Sequence, residues 1–140
     1  MLSVRDIPGL CLSMRVKLLH RAVDQVYEAQ LRPLGLGPSQ LTLLVAIEGA
    51  GTRTAAELSR RLLMEKSTLS RTLERMRRAG WMAESGGPDL RLSPAGVAKL
   101  EEALPAWQRA QEQAEALLGE DFPAPLADAV QRIQRRRASH

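Results

Sequence analysis

The residues of this chain best suited to contact a polyanion lie in the segment from 62 to 81, LLMEKSTLSRTLERMRRAGW. On a helical wheel Leu69, Leu73 and Met76 share one side, which predicts the side that faces a core. The opposite side and its flanks carry short hydroxyls followed by arginines, namely Ser67, Thr68, Arg71, Arg75 and Arg78, with Lys66 before them and Glu74 among them. Hydroxyl, guanidinium and ammonium groups donate hydrogen bonds to phosphates and base edges, so this order is typical of a helix that enters a duplex groove.

An ordinary solvated helix face also carries arginine and glutamate, and that alternative must be weighed against groove binding. The charge distribution favours groove binding. Residues 1 to 52 hold 5 Lys/Arg and 4 Asp/Glu, residues 53 to 91 hold 9 and 5, and residues 92 to 140 hold 6 and 7. The net charge of +4 therefore comes from the middle third, where an anionic partner is expected to dock.

Other chemistry has little support in the sequence. The single cysteine, Cys11, excludes an internal disulfide and a cysteine-based zinc site, and two isolated histidines, His20 and His140, form no ligand cluster. We find no nucleophile with a base, no paired carboxylates at a defined spacing and no phosphate-cradling glycine loop, and therefore predict neither an enzyme nor a cofactor. The N-terminus lacks a signal peptide and no apolar run is long enough to span a membrane, so we expect a cytoplasmic protein.

The elements that must position the arginines are predicted to be mostly helical, because aromatic residues make up only 3% of the chain and the core must come from Leu, Ala, Val and Met. One domain over residues 1–140 is expected. Apolar periodicity and stop signals predict helices at about 10–31, 38–48, 54–63, 65–79, 94–118 with a kink at Pro105, and 126–137. The turn formers of residues 85–89, between short alternating stretches, predict a small β-hairpin within 81–92.

Helix ends around the basic segment carry recognisable signals. Thr54 and Glu57 form a T-x-x-E capping box, and Gly80 closes the arginine-bearing helix. Ser93 followed by Pro94 suits the start of the next helix. Two helices with so few residues between them predict a helix-turn-helix.

The chain also resembles the MarR-type winged helix-turn-helix regulators of bacteria over roughly residues 10 to 118. The matching residues are YEAQLRPLGLGPSQLTLLVAI at 27–47, TAAELSRRL at 54–62, MEKSTLSRTLERMRRAGW at 64–81 and LRLSPAG at 90–96. Each piece is modest alone, whereas their order and spacing are specific.

The resemblance implies a homodimer in which helices 10–31 and 94–137 of two chains interlace. Residues 38–92 would form the DNA-binding lobe, with the arginine-bearing helix in the major groove and the hairpin as a short wing. The family's groove-facing positions correspond to Ser67, Thr68, Arg71 and Arg75, the same four residues that the wheel places outward or on its flanks. The wing departs from the family pattern, because residues 80–93 leave room only for a very short hairpin. Arg91 is a candidate contact to the minor groove or to the DNA backbone; the alternative is a solvated side chain without DNA contact.

Two kinds of effector follow from the same resemblance. Some family members sense oxidants through a cysteine near the start of the first helix, which makes Cys11 a candidate sensor; the alternative is a small buried hydrophobic residue. Other members bind small aromatic anions between the dimer helices and the lobe, and Arg15, His20 and Trp107 are the candidate pocket residues. The alternative is a salt bridge for Arg15, a surface position for His20 and a position in the dimer core for Trp107.

These observations predict a dimeric, sequence-specific DNA-binding transcriptional regulator, a ligand- or redox-responsive repressor acting on a pseudo-palindromic operator in double-stranded DNA. The alternative is a winged-helix module that binds an acidic protein partner. The terminal arginines 135–137 are expected to be a solvated helix end.

Overall fold

The computed structural model describes residues 1–49, 51 and 54–139 of the chain. His140, one of the two histidines considered above, lies outside this part. In chain order the helices are α1 (Ile7–Leu10), α2 (Leu12–Leu31), α3 (Pro38–Glu48), α4 (Ala55–Leu62), α5 (Lys66–Arg78), α6 (Pro94–Leu118) and α7 (Pro123–Ala138), with 3-10 turns at Val4–Asp6 and Arg32–Leu34. The prediction of a mainly helical fold is confirmed.

The N-terminal helix differs from the expectation of one helix from residue 10 to residue 31. Cys11 has an extended backbone (φ −72°, ψ 112°) and separates α1 from α2. The apolar periodicity is continuous across this break, which explains why the pattern alone did not locate it. At the other end of the chain, α7 begins at Pro123, three residues before the predicted start at Leu126.

The core is formed by residues of α3, α4, α5, α6 and the end of α2. Leu43, Leu44, Leu58 and Met76 are almost completely buried there. The short helix α3 buries Leu41, Leu43, Leu44, Ala46 and Ile47. This interior fixes α5, whose buried face consists of Leu69, Thr72, Leu73 and Met76.

The helix α6 packs along α2. It buries the small side chains of Ala103, Ala106, Ala110 and Ala114. Polar groups border the alanines: the Tyr27 hydroxyl donates to Gln111 Oε1, and Arg109 Nε donates to Gln30 Oε1 at 3.0 Å. Burial, and to a smaller extent the Glu115 carboxylate, raises the pKa of Tyr27. The helix α6 runs through Pro105 as one helix of 25 residues.

The segment between α5 and α6 was predicted to be a β-hairpin. In the described residues it forms two isolated antiparallel bridges, Met82 with Leu92 and Asp89 with Thr54, rather than extended strands. Its base is anchored to α6, because Ser93 N donates to Trp81 O at 2.9 Å and the Ser93 hydroxyl accepts from Gly96 N at 3.1 Å. The prediction that Ser93 caps α6 is therefore confirmed.

None of the helices in the described residues is long and apolar enough to cross a membrane.

Candidate nucleic-acid interface

Local sequence fixes the direction of α5. The Thr54 hydroxyl accepts from Glu57 N at 3.2 Å and caps α4, as the capping box predicted. Leu63 then adopts a left-handed conformation (φ 54°), and Ser59 Oγ donates to Met64 O at 2.8 Å across the turn. This turn joins α4 to α5 with three intervening residues, 63 to 65, which gives the predicted helix-turn-helix geometry.

The outward side of α5 carries the predicted candidates. Ser67, Thr68, Arg71 and Arg75 are all exposed, while Leu69, Leu73 and Met76 are at most 3% exposed. The predicted core side of the helix is confirmed. Thr72 is also buried, and its hydroxyl donates to Thr68 O at 2.9 Å, a contact that the wheel did not predict.

Glu74 does not neutralise the two central arginines. Its carboxylate lies 3.4 Å from Arg78 Nε and 3.8 Å from Arg77 Nη1, both in the last turn of the helix. Within the described residues neither Arg71 nor Arg75 forms an ion pair; Arg71 Nη2 lies 3.5 Å from Thr68 Oγ1. Exposed guanidinium groups without a carboxylate partner attract anions.

A groove beside these arginines contains a feature that the sequence did not reveal. It has a volume of about 340 Å³ and lies between α5 and the start of α3; its lining residues are Gly37, Pro38, Ser39, Gln40, Thr68, Arg71, Thr72 and Arg75. Gly37 N donates to Gln40 Oε1 at 2.9 Å, whereas the first-turn N–H groups of Ser39 and Gln40 have no intrahelical acceptor. The positive end of the α3 dipole thus lies beside two guanidinium groups, an arrangement suited to phosphate.

The sequence predicted a helix that starts at residue 38, but only the fold brings that helix end to α5. The signal that could have found it is Gly37-Pro38-Ser39, a sequence suited to an exposed helix start. The sequence does not show that Gly37, which precedes Thr68 by 31 residues and stands at the start of a helix, lines the same groove as Thr68.

The remaining candidates surround this surface. Lys66 is the first residue of α5 and is exposed, and Arg78 is the last and is paired with Glu74. Arg91 is exposed in the segment before α6, and its carbonyl accepts from Ala83 N at 2.9 Å. The tip of that segment is tied by Ser85 Oγ, which donates to Asp89 O at 2.6 Å.

The candidates for signal sensing are not brought into one site. Cys11 is partly buried at the break between α1 and α2, where its N–H donates to Ile7 O at 2.8 Å. Arg15 and His20 are exposed on α2, and Trp107 is 39% exposed on α6. Among the described residues no hydrogen bond or ion pair joins any two of these four. No group of three or more His, Cys, Asp or Glu residues that could hold a metal occurs in the described part of the chain.

Comparison with known proteins gives consistent matches. Residues 34–91 match the family model described as "MarR family". A curated relative, the uncharacterized HTH-type transcriptional regulator YwoH of Bacillus subtilis, is 32% identical over 71 residues, which cover 51% of this chain and 52% of the relative. The match thus spans about half the length of that curated relative.

Solved structures match over almost the whole length. The M. tuberculosis transcriptional regulator MosR is 30% identical, with a TM-score of 0.77 and coverage of 94% of this chain and 98% of its own. A cysteine-to-serine mutant of E. coli MarR complexed with operator DNA has 21% identity, a TM-score of 0.76 and coverage of 94% and 99%. The transcriptional repressor CouR bound to p-coumaroyl-CoA has 21% identity, a TM-score of 0.79 and coverage of 96% and 99%. Because MarR and CouR are each 21% identical to this chain, these two similarities show a shared fold alone.

Proposed function

This chain belongs to the MarR family of transcriptional regulators, and from that premise we propose that it is a homodimeric, sequence-specific DNA-binding repressor controlled by a small effector. The observation that carries the proposal is the exposed pair Arg71 and Arg75, which have no ion-pair partner in the described residues and lie beside the start of α3. A duplex offers phosphate oxygens and base edges that accept hydrogen bonds from such groups.

The proposed DNA contacts are of two kinds, contacts to base edges and contacts to phosphates. Ser67 and Thr68 are short enough to bring the first turn of α5 close to base edges in the major groove, and Arg71 can donate two hydrogen bonds to a guanine. Arg75 and the first turn of α3 hold a phosphate, and Lys66 and Arg78 hold others. The segment 81–92 acts as a short wing, and Arg91 contacts the backbone beside the minor groove.

The dimer is supported by the surface that one chain exposes. Its accessible area is 10193 Å², whereas a compact monomer of this mass has about 7,200 Å². Of the 17 large exposed hydrophobic residues in the described part, nine lie within residues 1–18 and six within residues 104–133. A second copy that covers these faces would bury an area typical of an obligate dimer, and would present two α5 helices to half-sites about 34 Å apart.

The effector is a small aromatic acid or an oxidant. The neighbour bound to p-coumaroyl-CoA favours an aromatic ligand for this fold, with Arg15, His20 and Trp107 as contributing residues. Cys11 is the residue through which an oxidant would act, since it is the only cysteine of the chain. Either signal would change the distance between the two lobes and release the operator. The protein acts in the cytoplasm and has no catalytic activity.

The test is selection of bound sequences from random duplexes, followed by fluorescence anisotropy with the enriched and a scrambled duplex. We expect enrichment of a pseudo-palindrome and an affinity that falls steeply with salt. Arg71→Ala should weaken binding to the enriched duplex by about tenfold or more and binding to the scrambled duplex much less, because a bidentate base contact contributes about 1–3 kcal/mol.

The matched control is Arg5→Ala, which removes the same charge from the N-terminal arm. Equal losses on both duplexes would remove Arg71 from base recognition. Absence of any DNA binding at low salt would overturn the regulator function and favour a module that binds an acidic protein.

A further inference from the structure

A second cationic cavity lies at the turn that leads into α5. Its volume is about 640 Å³. The end of α4 contributes Arg60 and Arg61, the turn contributes Leu63, and the end of α7 contributes Ile133 and Arg137. Two helices that are distant in the chain therefore meet at this cavity.

The charges that line this cavity favour an anion. Three guanidinium groups and the Glu57 carboxylate give the lining a net charge of +2. Both helices end here, and the negative end of each helix dipole counts as about −0.5 of a charge, so the arginines outweigh the two dipoles. Arg60 and Arg137 are exposed, and neither forms an ion pair within the part of the chain that the structure describes.

An ordinary solvated helix end is the alternative for these arginines, because a cation in the last turn of a helix is favourable by itself. That alternative accounts for Arg60 on α4 and for Arg137 on α7 separately. It does not account for their convergence on one cavity, where two cations repel each other. An anion held between them replaces this repulsion with two charge-assisted contacts.

The position of the cavity relative to α5 identifies the anion. Leu63 lines the cavity and Lys66 is the first residue of α5, so their Cα atoms are at most about 11 Å apart. A duplex carries one phosphate for about every 1.7 Å of its axis, so DNA that receives the first turn of α5 also brings phosphates to this cavity. The groove between α5 and α3 shares no lining residue with the cavity, so the two sites suit different phosphates.

We propose that Arg60 and Arg137 together hold a phosphate of the DNA backbone next to the half-site that α5 reads. The inference rests on the proposed function and adds to it a contact from the last turn of α7. For Arg137 it differs from the expectation of a solvated helix end. A phosphate carries no sequence information, so the contact raises affinity without selecting bases.

The test compares Arg137→Ala with Arg132→Ala in the full-length protein, by fluorescence anisotropy on the enriched and the scrambled duplex at a series of salt concentrations. Arg132 is the matched control, because it is an exposed arginine of α7 that does not line the cavity. Both positions are exposed, so the two substitutions should leave the melting temperature nearly unchanged.

The two variants should differ on every duplex. Arg137→Ala should weaken binding about tenfold on both duplexes and lower the slope of log K against log salt by about 2, one for each subunit. Arg132→Ala should change the affinity less than about twofold. Arg137→Lys retains the charge and should retain most of the slope.

Methylphosphonate scanning locates the contact. A neutral methylphosphonate replaces one phosphate of the enriched duplex at a time. We expect one position in each half-site where the replacement weakens the wild-type protein about threefold but has no further effect on Arg137→Ala, because that variant has already lost the contact. Arg132→Ala should remain as sensitive as the wild type at this position.

The outcomes separate this contact from the proposed function. If Arg137→Ala retains the wild-type slope, or if Arg132→Ala lowers the slope as much, the phosphate contact is wrong and sequence-specific DNA binding stands. A loss for Arg137→Ala on the enriched duplex alone would assign Arg137 to base recognition and also overturn the contact. If the wild-type protein binds no duplex, both proposals fail.

Discussion

Two exposed surfaces of this molecule differ in how well water solvates them. The outward side of α5 is covered with hydroxyl and guanidinium groups, which water solvates well, and none of its residues is a large exposed hydrophobic. The terminal arms expose Leu12 at 75%, Val16 at 61% and Leu117 at 59% of their areas. The first surface is solvated without a partner. Exposure of the second surface to water costs free energy, which is recovered when an apolar surface covers it.

The two surfaces suit different kinds of partner. A solvated, unpaired cationic surface suits reversible, salt-sensitive contact with a polyanion. A continuous apolar surface suits a permanent interface, because burying it provides most of the free energy of association. From this comparison we propose that the arms hold the dimer together and that α5 binds the DNA.

The largest expected effect comes from a charge placed in the arms. Val16→Glu should shift the dimer toward monomer and raise the dissociation constant at least about 100-fold, because an unpaired carboxylate in an apolar interface costs several kcal/mol. Sedimentation velocity measures the change. Gln25→Glu, at an exposed polar position of the same helix, is the control and should leave the dimer intact. A Val16→Glu variant that remains dimeric would remove this face from the interface.

A smaller effect is expected inside the lobe. A Cβ at Gly96 would lie 2.2 Å from Trp81 O and 3.2 Å from Leu92 Cβ, so backbone must move to admit it. Gly96→Ala should lower the free energy of unfolding by about 1–3 kcal/mol, measured by urea denaturation.

Gly87→Ala is its control, since a Cβ there meets nothing within 4 Å; we expect a change within about 0.5 kcal/mol. If the two substitutions had equal effects, the segment 81–92 would not be fixed to α6 at Gly96.

The smallest effect concerns the cap of α4. Thr54→Ala removes the hydroxyl that accepts from Glu57 N at 3.2 Å and should cost about 1 kcal/mol of stability. Thr54→Ser keeps the hydroxyl and should retain most of the stability, by the same denaturation measurement. A loss with serine as large as that with alanine would assign the effect to the Thr54 methyl group instead.

Much of the fold and of the candidate surface could be predicted because the signals are local. Thr54 caps α4, Ser93 caps α6, and the Leu69–Leu73–Met76 stripe marks the buried side of α5. The break at Cys11 and the weak pairing of segment 81–92 were not predicted, since apolar periodicity and turn composition do not report backbone dihedrals or ladder length.

The side of α5 that carries the arginines follows from the sequence, because helical periodicity places every fourth residue on one face. Which groups lie beside the arginines depends on the tertiary structure. The fold brings the start of α3 to Arg71 and Arg75. Groups so distant in the chain come together only through the packing of the core.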